Sequence, residues 1–246
     1  MDKMIYVAMT GARHMMLAQT VNAHNLANAS TTGFRADLIE VESFPVEGPG
    51  HRSRINAIKT TGGVNFETGP MEQTGRKLDV AVQGPGFIAV QGPEGEEVYT
   101  RAGDLRLGSG GILTNAAGQV VLGEGGPVAI PPHQELEIGA DGSISIVPLG
   151  QTANTLATVD RIRLVNPERE LLVKGSDGLI RTRDESVPEA DANVKLAAGV
   201  LEGSNVNSIE SLVSMLEYSR AYEMHVKLME TADNNAAAAA RLMQLS

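Results

Sequence analysis

Residues 207–243 read NSIESLVSMLEYSRAYEMHVKLMETADNNAAAAARLM, and this stretch decides how the C-terminal part of the chain folds. Its apolar side chains recur every three or four residues, and neither Gly nor Pro occurs after Gly203. That interval is the period of one helix face. Asn207, with Glu210 three residues later, resembles the capping box that begins a helix. We therefore predict a continuous helix of about 35 residues, roughly 50 Å long. Eight of the ten positions on the face are apolar, and the ten are Leu212, Met215, Ser219, Tyr222, Val226, Met229, Asp233, Ala236, Ala240 and Met243.

The N-terminal residues show the same helical spacing of apolar side chains. Residues 4–30 contain no Pro, and Gln19 is the one polar position on a face with helical spacing. The segment Ser30-Thr31-Thr32-Gly33 is suited to ending a helix. The apolar positions of this second face are Ile5, Met9, Ala12, Met16, Ala23 and Leu26.

The middle of the chain is different. Seventeen of the 27 glycines lie between residues 69 and 150, and short alternating apolar runs separate them. Such runs between Gly-rich turns are typical of antiparallel strands. They are residues 78–82, 87–90, 111–114, 119–122, 142–146, 161–165 and 171–173.

Helical spacing at both ends and strand-like alternation in the middle predict an α+β fold. A mainly antiparallel β central domain is inserted between long N- and C-terminal α-helices that pack as a coiled-coil-like pair. Each helix carries an apolar stripe along its length, so it needs a partner: the other terminal helix first, then copies from neighbouring subunits. We expect a helical axial-core domain at residues 1–36 and 203–246, an extended connector at 37–76 and 186–202, and a β-rich outer domain at 77–185.

Composition excludes several classes of protein. The formal net charge of −10 argues against a nucleic-acid-binding protein, which needs a surplus of Lys and Arg. Cysteine is absent, so disulfides and Cys-metal sites are excluded. No stretch approaches the roughly 20 apolar residues of a membrane span. Residues 4–29 are too polar for a cleaved signal peptide.

No residue pattern indicates catalysis or a cofactor. The five His residues lack metal-ligand spacing, and the Gly-rich segments lack the Walker spacing and its Lys. Aspartates near the turns are better explained as turn caps than as a hydrolase pair. Those aspartates are Asp79, Asp104, Asp141 and Asp177. We expect no enzyme, no metal, no cofactor and no small-molecule substrate.

Three asparagines in the last turns of the first helix are poor helix formers. Asn22, Asn25 and Asn28 can pair with side chains or backbone of adjacent helices. We interpret them as interhelical contacts; the alternative is a solvated face.

The segment Asn25-Leu-Ala-Asn-Ala-Ser-Thr-Thr-Gly-Phe34 resembles the N-terminal motif of the flagellar axial family of rod, hook and hook-associated proteins, with Thr32 where the family usually has Pro. Residues 201–210 and 220–223 resemble the C-terminal signature of that family. In the middle, residues 84–90, 99–103 and 111–114 resemble the β domain shared by rod and hook proteins.

Within this family, the chain is most similar to the proximal rod protein of the basal body, and the distal rod protein is the alternative. The resemblance implies a structural subunit that is exported unfolded through the flagellar type III apparatus, without signal cleavage. It further implies helical assembly into a hollow drive shaft that transmits torque across the periplasm. The implied partners are other rod and basal-body proteins, copies of this chain, and the export apparatus.

An alternative from another class is a secreted β-domain binding module or hydrolase whose helices merely dimerise. Self-assembly without dependence on a small molecule would favour the structural interpretation. For that interpretation, we expect the assembly contacts to include Ile5, Met9, Ala12, Met16, Asn22, Asn25, Leu26, Asn28, Gly33, Phe34, Asn205, Val206, Leu212, Met215, Leu216, Tyr222, Val226, Met229 and Met243.

Overall fold

A computed structural model of the protein describes residues 2–39, 41–45, 55–59, 63–150 and 156–244. The chain divides into two compact units. The helical unit comprises Met1–Ala29, Ala36–Asn65 and Val206–Ser246. The β unit comprises Ser30–Arg35 and Phe66–Asn205.

The helical unit is built on two long helices. Helix α1 covers Asp2–Ala27 and helix α2 covers Ser208–Gln244, so the predicted helices at both ends of the chain are confirmed. The side chain of Asn207 accepts hydrogen bonds from the backbone N–H groups of Ile209 and Glu210, at 3.1 and 3.3 Å. Asn207 is therefore the N-cap of α2.

A β-hairpin also belongs to the helical unit. Strand β1, Val41–Pro45, pairs antiparallel with strand β2, Ile55–Lys59. The sequence predicts only an extended connector at residues 37–76, and the hairpin lies within that range.

The β unit contains the other sixteen strands described, and every described strand pair is antiparallel. This confirms the predicted mainly antiparallel β region. A five-stranded sheet has the order β14-β5-β6-β16-β15, a three-stranded sheet has the order β11-β12-β13, and the rest form two-stranded pairs. The strands are β3 Met71–Gln73, β4 Val80–Gln83, β5 Phe87–Gln91, β6 Glu97–Thr100, β7 Leu105–Leu107, β8 Leu113–Asn115, β9 Leu122–Gly123, β10 Gly126–Pro127, β11 His133–Ile138, β12 Ser143–Pro148, β13 Ala157–Arg161, β14 Leu164–Val165, β15 Leu172–Lys174, β16 Ile180–Thr182, β17 Lys195–Ala198 and β18 Val200–Glu202.

The core of the β unit is aliphatic. Its buried residues come together in a cluster of Val, Ile and Leu side chains from most of the sheets. A smaller cluster around Phe87 and Tyr99 covers the other face of the five-stranded sheet. Small aliphatic side chains suit this architecture because its strands are only two to six residues long.

Two of the turn aspartates cap turns, as the sequence predicts. Asp141 accepts hydrogen bonds from the backbone N–H and the hydroxyl of Ser143, at 3.2 and 2.7 Å. Asp177 accepts from the Arg181 guanidinium at 2.8 Å and from the Leu179 N–H at 3.1 Å. The hydroxyl of Ser143 and the guanidinium of Arg181 lower the pKa of their partner carboxyls below the ordinary Asp value.

We expect acid to weaken the β unit through these turns. A carboxyl whose pKa is lower in the folded state contributes stability above its unfolded pKa, near 3.8 for Asp, and loses it as the pH falls through the folded value. Urea unfolding at about pH 7 and about pH 3 should therefore show a fall in unfolding free energy that is smaller in Asp177→Asn. Equal falls in the two proteins would contradict this assignment.

Candidate assembly interface

Helices α1 and α2 pack against each other through small side chains. In α1, the buried residues are Ala8, Ala12 and Ala18, and in α2 they are Ser211 and Ala232. The distance between two packed helices is set by the side chains at the contact. Alanine and serine at these positions let the two backbones approach closely.

The two helices approach each other closely at Gly11. A Cβ atom added to Gly11 would lie 2.3 Å from Cε1 of His225, so the imidazole ring of α2 sits directly against the backbone of α1. The ring is half-buried, and its Nδ1 has no hydrogen-bond partner among the described residues. With the ring in this position a side chain at residue 11 would clash, which accounts for a glycine inside a helix where glycine is otherwise unfavourable.

Gly11→Leu should separate the helices because the added side chain occupies the space of the imidazole ring. Overpacking of this kind costs about 1–3 kcal/mol. We expect a lower thermal midpoint for the helical circular-dichroism signal, and partial recovery in the double variant Gly11→Leu/His225→Ala. If the single and double variants have the same thermal midpoint, the His225 ring is not what the added side chain clashes with.

The large apolar side chains of both helices lie mostly outside this contact. Ile209 is 74% exposed and Leu216 is 60% exposed. Ile209 and Val213 are each two residues from Ser211, which is about 200° around the helix, so they lie on the side of α2 opposite α1. We call Ile209, Leu212, Val213 and Leu216 the open apolar strip. Farther along, the same side becomes mostly polar, with Arg220, Glu223 and Lys227, although the exposed Met224 also lies there. Other exposed apolar residues of the helices are Tyr6, Val7, Met9, Met16, Tyr222, Met224, Val226 and Leu228.

The predicted helix faces coincide only in part with the contact between α1 and α2. In α2, the prediction names Leu212 and Val226, and both are exposed, whereas their neighbours Ser211 and His225 face α1. In α1, Ala12 is buried but Met9 and Met16 are exposed. The physical reason is that the small residues beside the predicted face allow a closer contact than Met or Leu can. Ile5, Leu26, Val206, Met215 and Met229 are half-buried, Leu216 and Tyr222 are exposed, and the side chain of Met243 lies outside the described residues.

The side-chain amides of the three asparagines make three different kinds of hydrogen bond. Asn22 donates from Nδ2 to the backbone O of Ser211 at 2.6 Å, which is a contact between the two helices. Asn25 donates to the backbone O of Asp37 and accepts from its N–H, both at 2.9 Å, so it holds the chain that leaves α1. Asn28 donates to the O of His24 in its own helix at 2.9 Å. Asn22 thus makes a contact between the two helices, and the hydrogen bonds described for Asn25 and Asn28 lie at the end of α1.

A buried ion cluster lies within the β unit. Glu202, fully buried, accepts hydrogen bonds from Arg35 at 2.6 Å and from Arg101 at 3.0 Å, and both arginines are at most 3% exposed. Gly69 donates its N–H to the same carboxylate at 3.0 Å. Burial lowers the pKa of the Arg101 guanidinium, and the charge of Glu202 opposes that shift. The cluster joins the segment that follows α1 in sequence to the segment that precedes α2.

The N-terminal motif segment ends beside this cluster and the C-terminal signature begins at it, and the two backbones are joined directly. Gly33, which has a positive φ of 68°, donates its N–H to the O of Glu202 at 2.8 Å. A side chain there would meet the backbone of Arg101 at 2.3 Å, so only glycine fits. The buried Phe34 accepts from the N–H of Asn205 at 3.3 Å, and the ammonium of Lys174 lies 3.9 Å from the centre of its ring.

Sequence reasoning assigned no role to Arg35, Arg101 or Glu202. Each stands in or beside a motif segment, but the segments alone do not show that three charges converge. No group of three or more His, Cys, Asp or Glu side chains that could hold a metal ion occurs in the part of the chain that the structure describes. Within the same residues, no helix is long and apolar enough to cross a membrane.

Comparisons with known proteins match both parts of the fold. A family model described as "Flagellar basal body rod FlgEFG protein C-terminal" matches residues 197–242, which include Glu202 and most of α2. Another, described as "Flagellar hook protein FlgE/F/G D1 domain", matches residues 81–146 of the β unit.

Full-length relatives agree with these matches. The flagellar basal-body rod protein FlgF of Escherichia coli (strain K12) is 41% identical over 252 residues, covering 100% of both chains. FlgF of Salmonella typhimurium (strain LT2) is 40% identical with the same coverage. The rod protein FlgG of Buchnera aphidicola subsp. Schizaphis graminum is 30% identical, covering 93% of this chain and 95% of its own. With end-to-end identity of this level, the chain belongs to the FlgF family of flagellar basal-body rod proteins.

Proposed function

We propose that this protein is a structural subunit of the proximal rod, and that it assembles helically to transmit torque across the periplasm. The observation that supports this most is the open apolar strip on α2. Monomeric proteins seldom expose contiguous large apolar residues without a partner for them. Burial of that strip would stabilise an assembly by roughly 25 cal/mol for each Å² of apolar surface removed from water.

The helix pair is suited to such an assembly because α2 offers two faces. One face holds α1, and the opposite face is open to a neighbouring subunit. Ser211 and His225, which contact α1, are two heptads apart, and the residues at the other heptad positions, Tyr218 and Ala232, are half-buried and buried. This heptad spacing supports the proposal that α1 and α2 form a coiled-coil-like pair. A contact between unlike faces of successive copies would build a filament and not a closed ring.

The proposed partners are other rod and basal-body proteins, copies of this chain and the flagellar type III export apparatus, with export occurring without a cleaved signal. The axial core would comprise residues 1–36 and 203–246, and the β-rich residues 77–185 would face outward. The distal-rod alternative is less favoured because FlgF of Escherichia coli, at 41% identity, is more similar to this chain than FlgG of Buchnera aphidicola, at 30%. We propose no catalytic role, because the family is one of structural rod proteins.

A deletion tests the assembly role. Residues 212–246 are removed, and the truncated protein is expressed in cells that lack the native one. We expect loss of motility and of rods in purified basal bodies, with the β unit still folded. Normal rods and swimming would mean that α2 is dispensable, and the binding-module alternative would return.

Amide exchange on the free subunit should divide α2 into two parts. After Ala232, none of the described side chains of the helix is buried, whereas Ser211 and His225 face α1. Local opening is easiest where few apolar contacts are buried. We expect amides of residues 233–241 to exchange at least about tenfold faster than those of 214–225. Uniform protection along α2 would contradict this.

A further inference from the structure

Methionine is concentrated in the two helices. Eight of the ten methionines lie in α1 and α2, whereas Met71 is the one methionine of the β unit. Methionine is flexible and polarisable, and it is common on surfaces that adapt to more than one partner. The chain has no Cys, so a peroxide meets no thiol that would react first. Oxidation of this protein at sulfur would therefore fall mainly on the helices.

Three of the helix methionines are exposed. Met9 and Met16 of α1 are 51% and 61% exposed, and Met224 of α2 is 62% exposed. Met9 and Met16 are seven residues apart, so they lie about two turns apart on one side of α1. Met224 is thirteen residues from Ser211, which is about 220° around α2, so it lies on the side opposite the contact with α1. The three side chains are therefore open to a peroxide in the free subunit.

Oxidation changes the chemical character of such a side chain. A lone pair of the thioether sulfur attacks one oxygen of the peroxide, the O–O bond breaks, an S–O bond forms, and water leaves. The sulfur is oxidised to a sulfoxide and the peroxide is reduced. An apolar side chain thereby becomes a polar acceptor of hydrogen bonds, which disfavours its burial against an apolar neighbour.

We infer that Met9, Met16 and Met224 are oxidation sites, and that conversion of their thioethers to sulfoxides by a peroxide keeps the free subunit out of the rod. The inference rests on the proposed function for the burial of these side chains by neighbouring copies. Met224 lies on the same side of α2 as the open apolar strip, so its burial would continue that contact. In a rod the neighbour would shield the sulfur atoms, so the oxidant acts before assembly. Sulfoxide reductases reverse the step.

The sites are tested on the purified, full-length chain with hydrogen peroxide, and the sulfoxide at each methionine is measured by peptide mass spectrometry. We expect Met9, Met16 and Met224 to be oxidised at least about threefold faster than Met215 and Met229, which are half-buried, because the peroxide must touch the sulfur. Equal rates at the exposed and the half-buried positions would overturn the assignment of the sites.

The effect on assembly is tested by substitution in cells that lack the native protein. Glutamine imitates the length and polarity of methionine sulfoxide, whereas leucine keeps the volume of methionine and cannot be oxidised. All three residues have similar helix propensity. We expect Met9→Gln/Met16→Gln/Met224→Gln to give at least about tenfold fewer rods in purified basal bodies, because buried polar groups without partners disfavour the contact. The same three changes to Leu, and Met71→Gln at an exposed position of the β unit, should leave the number of rods unchanged.

Normal rods in the glutamine variant would overturn the inference and leave the proposed function standing, because the subunit would still assemble. Equal loss in the leucine and glutamine variants, with both folded by circular dichroism, would also overturn it, because polarity would not be the cause. So would equally fast oxidation of the three methionines in purified rods and in the free subunit, because no neighbour would then cover them. Failure of the unaltered chain to form rods would remove the proposed function and the inference with it.

Discussion

Glu202→Gln is expected to destabilise the β unit by about 3–5 kcal/mol, the cost of breaking a buried ion pair by removing one partner. The amide that replaces the carboxylate has no charge to set against Arg35 and Arg101, which stay buried with their positive charges unopposed. Native domains are stable by only about 5–15 kcal/mol, so a loss of this size removes a large part of the margin.

The measurement is urea unfolding of the full chain, followed through NMR methyl signals of Ile88 and Leu113 in the core of the β unit. Glu189→Gln is the control, because Glu189 is exposed and makes no described ion pair. It should change the unfolding free energy by less than about 0.5 kcal/mol. If Glu202→Gln behaves like Glu189→Gln, the cluster does not hold the β unit together.

A second variant distinguishes the effect of charge pairing in the cluster from the effect of side-chain packing. Replacing the three members of the cluster together, by Arg35→Met, Arg101→Met and Glu202→Leu, removes the uncompensated charges as well as the ion pairs. Apolar replacement of a buried ion cluster is often neutral or stabilising, because the desolvation penalty disappears. We expect the triple variant to be more stable than Glu202→Gln alone. A triple variant that is less stable would assign the effect to lost shape and hydrogen bonding, not to charge.

The local features of the fold could be predicted because they depend on neighbours in sequence. The N-cap at Asn207 and the length of α2 follow from a period and a capping residue within one segment. The strands at residues 87–91 and 143–148 follow from alternation between turns, and the structure has them there. The hairpin at 41–45 and 55–59 could not be predicted in this way, because a stretch rich in Pro and Gly gives no clear alternation.

The candidate site was harder to predict, because its features depend on which surfaces meet. Periodicity weighs large apolar residues most heavily, so it selected Leu212 and Val226, one residue away from the face that holds α1. Gly11 contributes no hydrophobicity, and its role becomes visible only with His225 beside it. Arg35, Arg101 and Glu202 are far apart in sequence, and a charged residue is normally expected at the surface. Their convergence is a property of the tertiary fold.

The second large effect is expected for Leu216→Glu, which changes the side of α2 that faces away from α1. Leu216 is 60% exposed on the open apolar strip, opposite the contact with α1, so the free subunit should fold with little change in stability. In the proposed assembly the same side chain would be buried against a neighbour. A carboxylate there would have to lose its water without a counter-charge, at a cost of several kcal/mol per ion.

We therefore expect Leu216→Glu to abolish incorporation into rods and motility, while the circular dichroism and thermal midpoint of the purified protein match those of the unaltered chain. Lys227→Glu is the matched control, because it introduces the same residue on the polar continuation of the same side of α2, three turns farther along. It should incorporate normally. The comparison distinguishes the two halves of the helix. Normal rods in both variants would mean that the open apolar strip is not an assembly contact. Failure of both variants would mean that the whole side of α2 is covered in the rod, and not only its first turns.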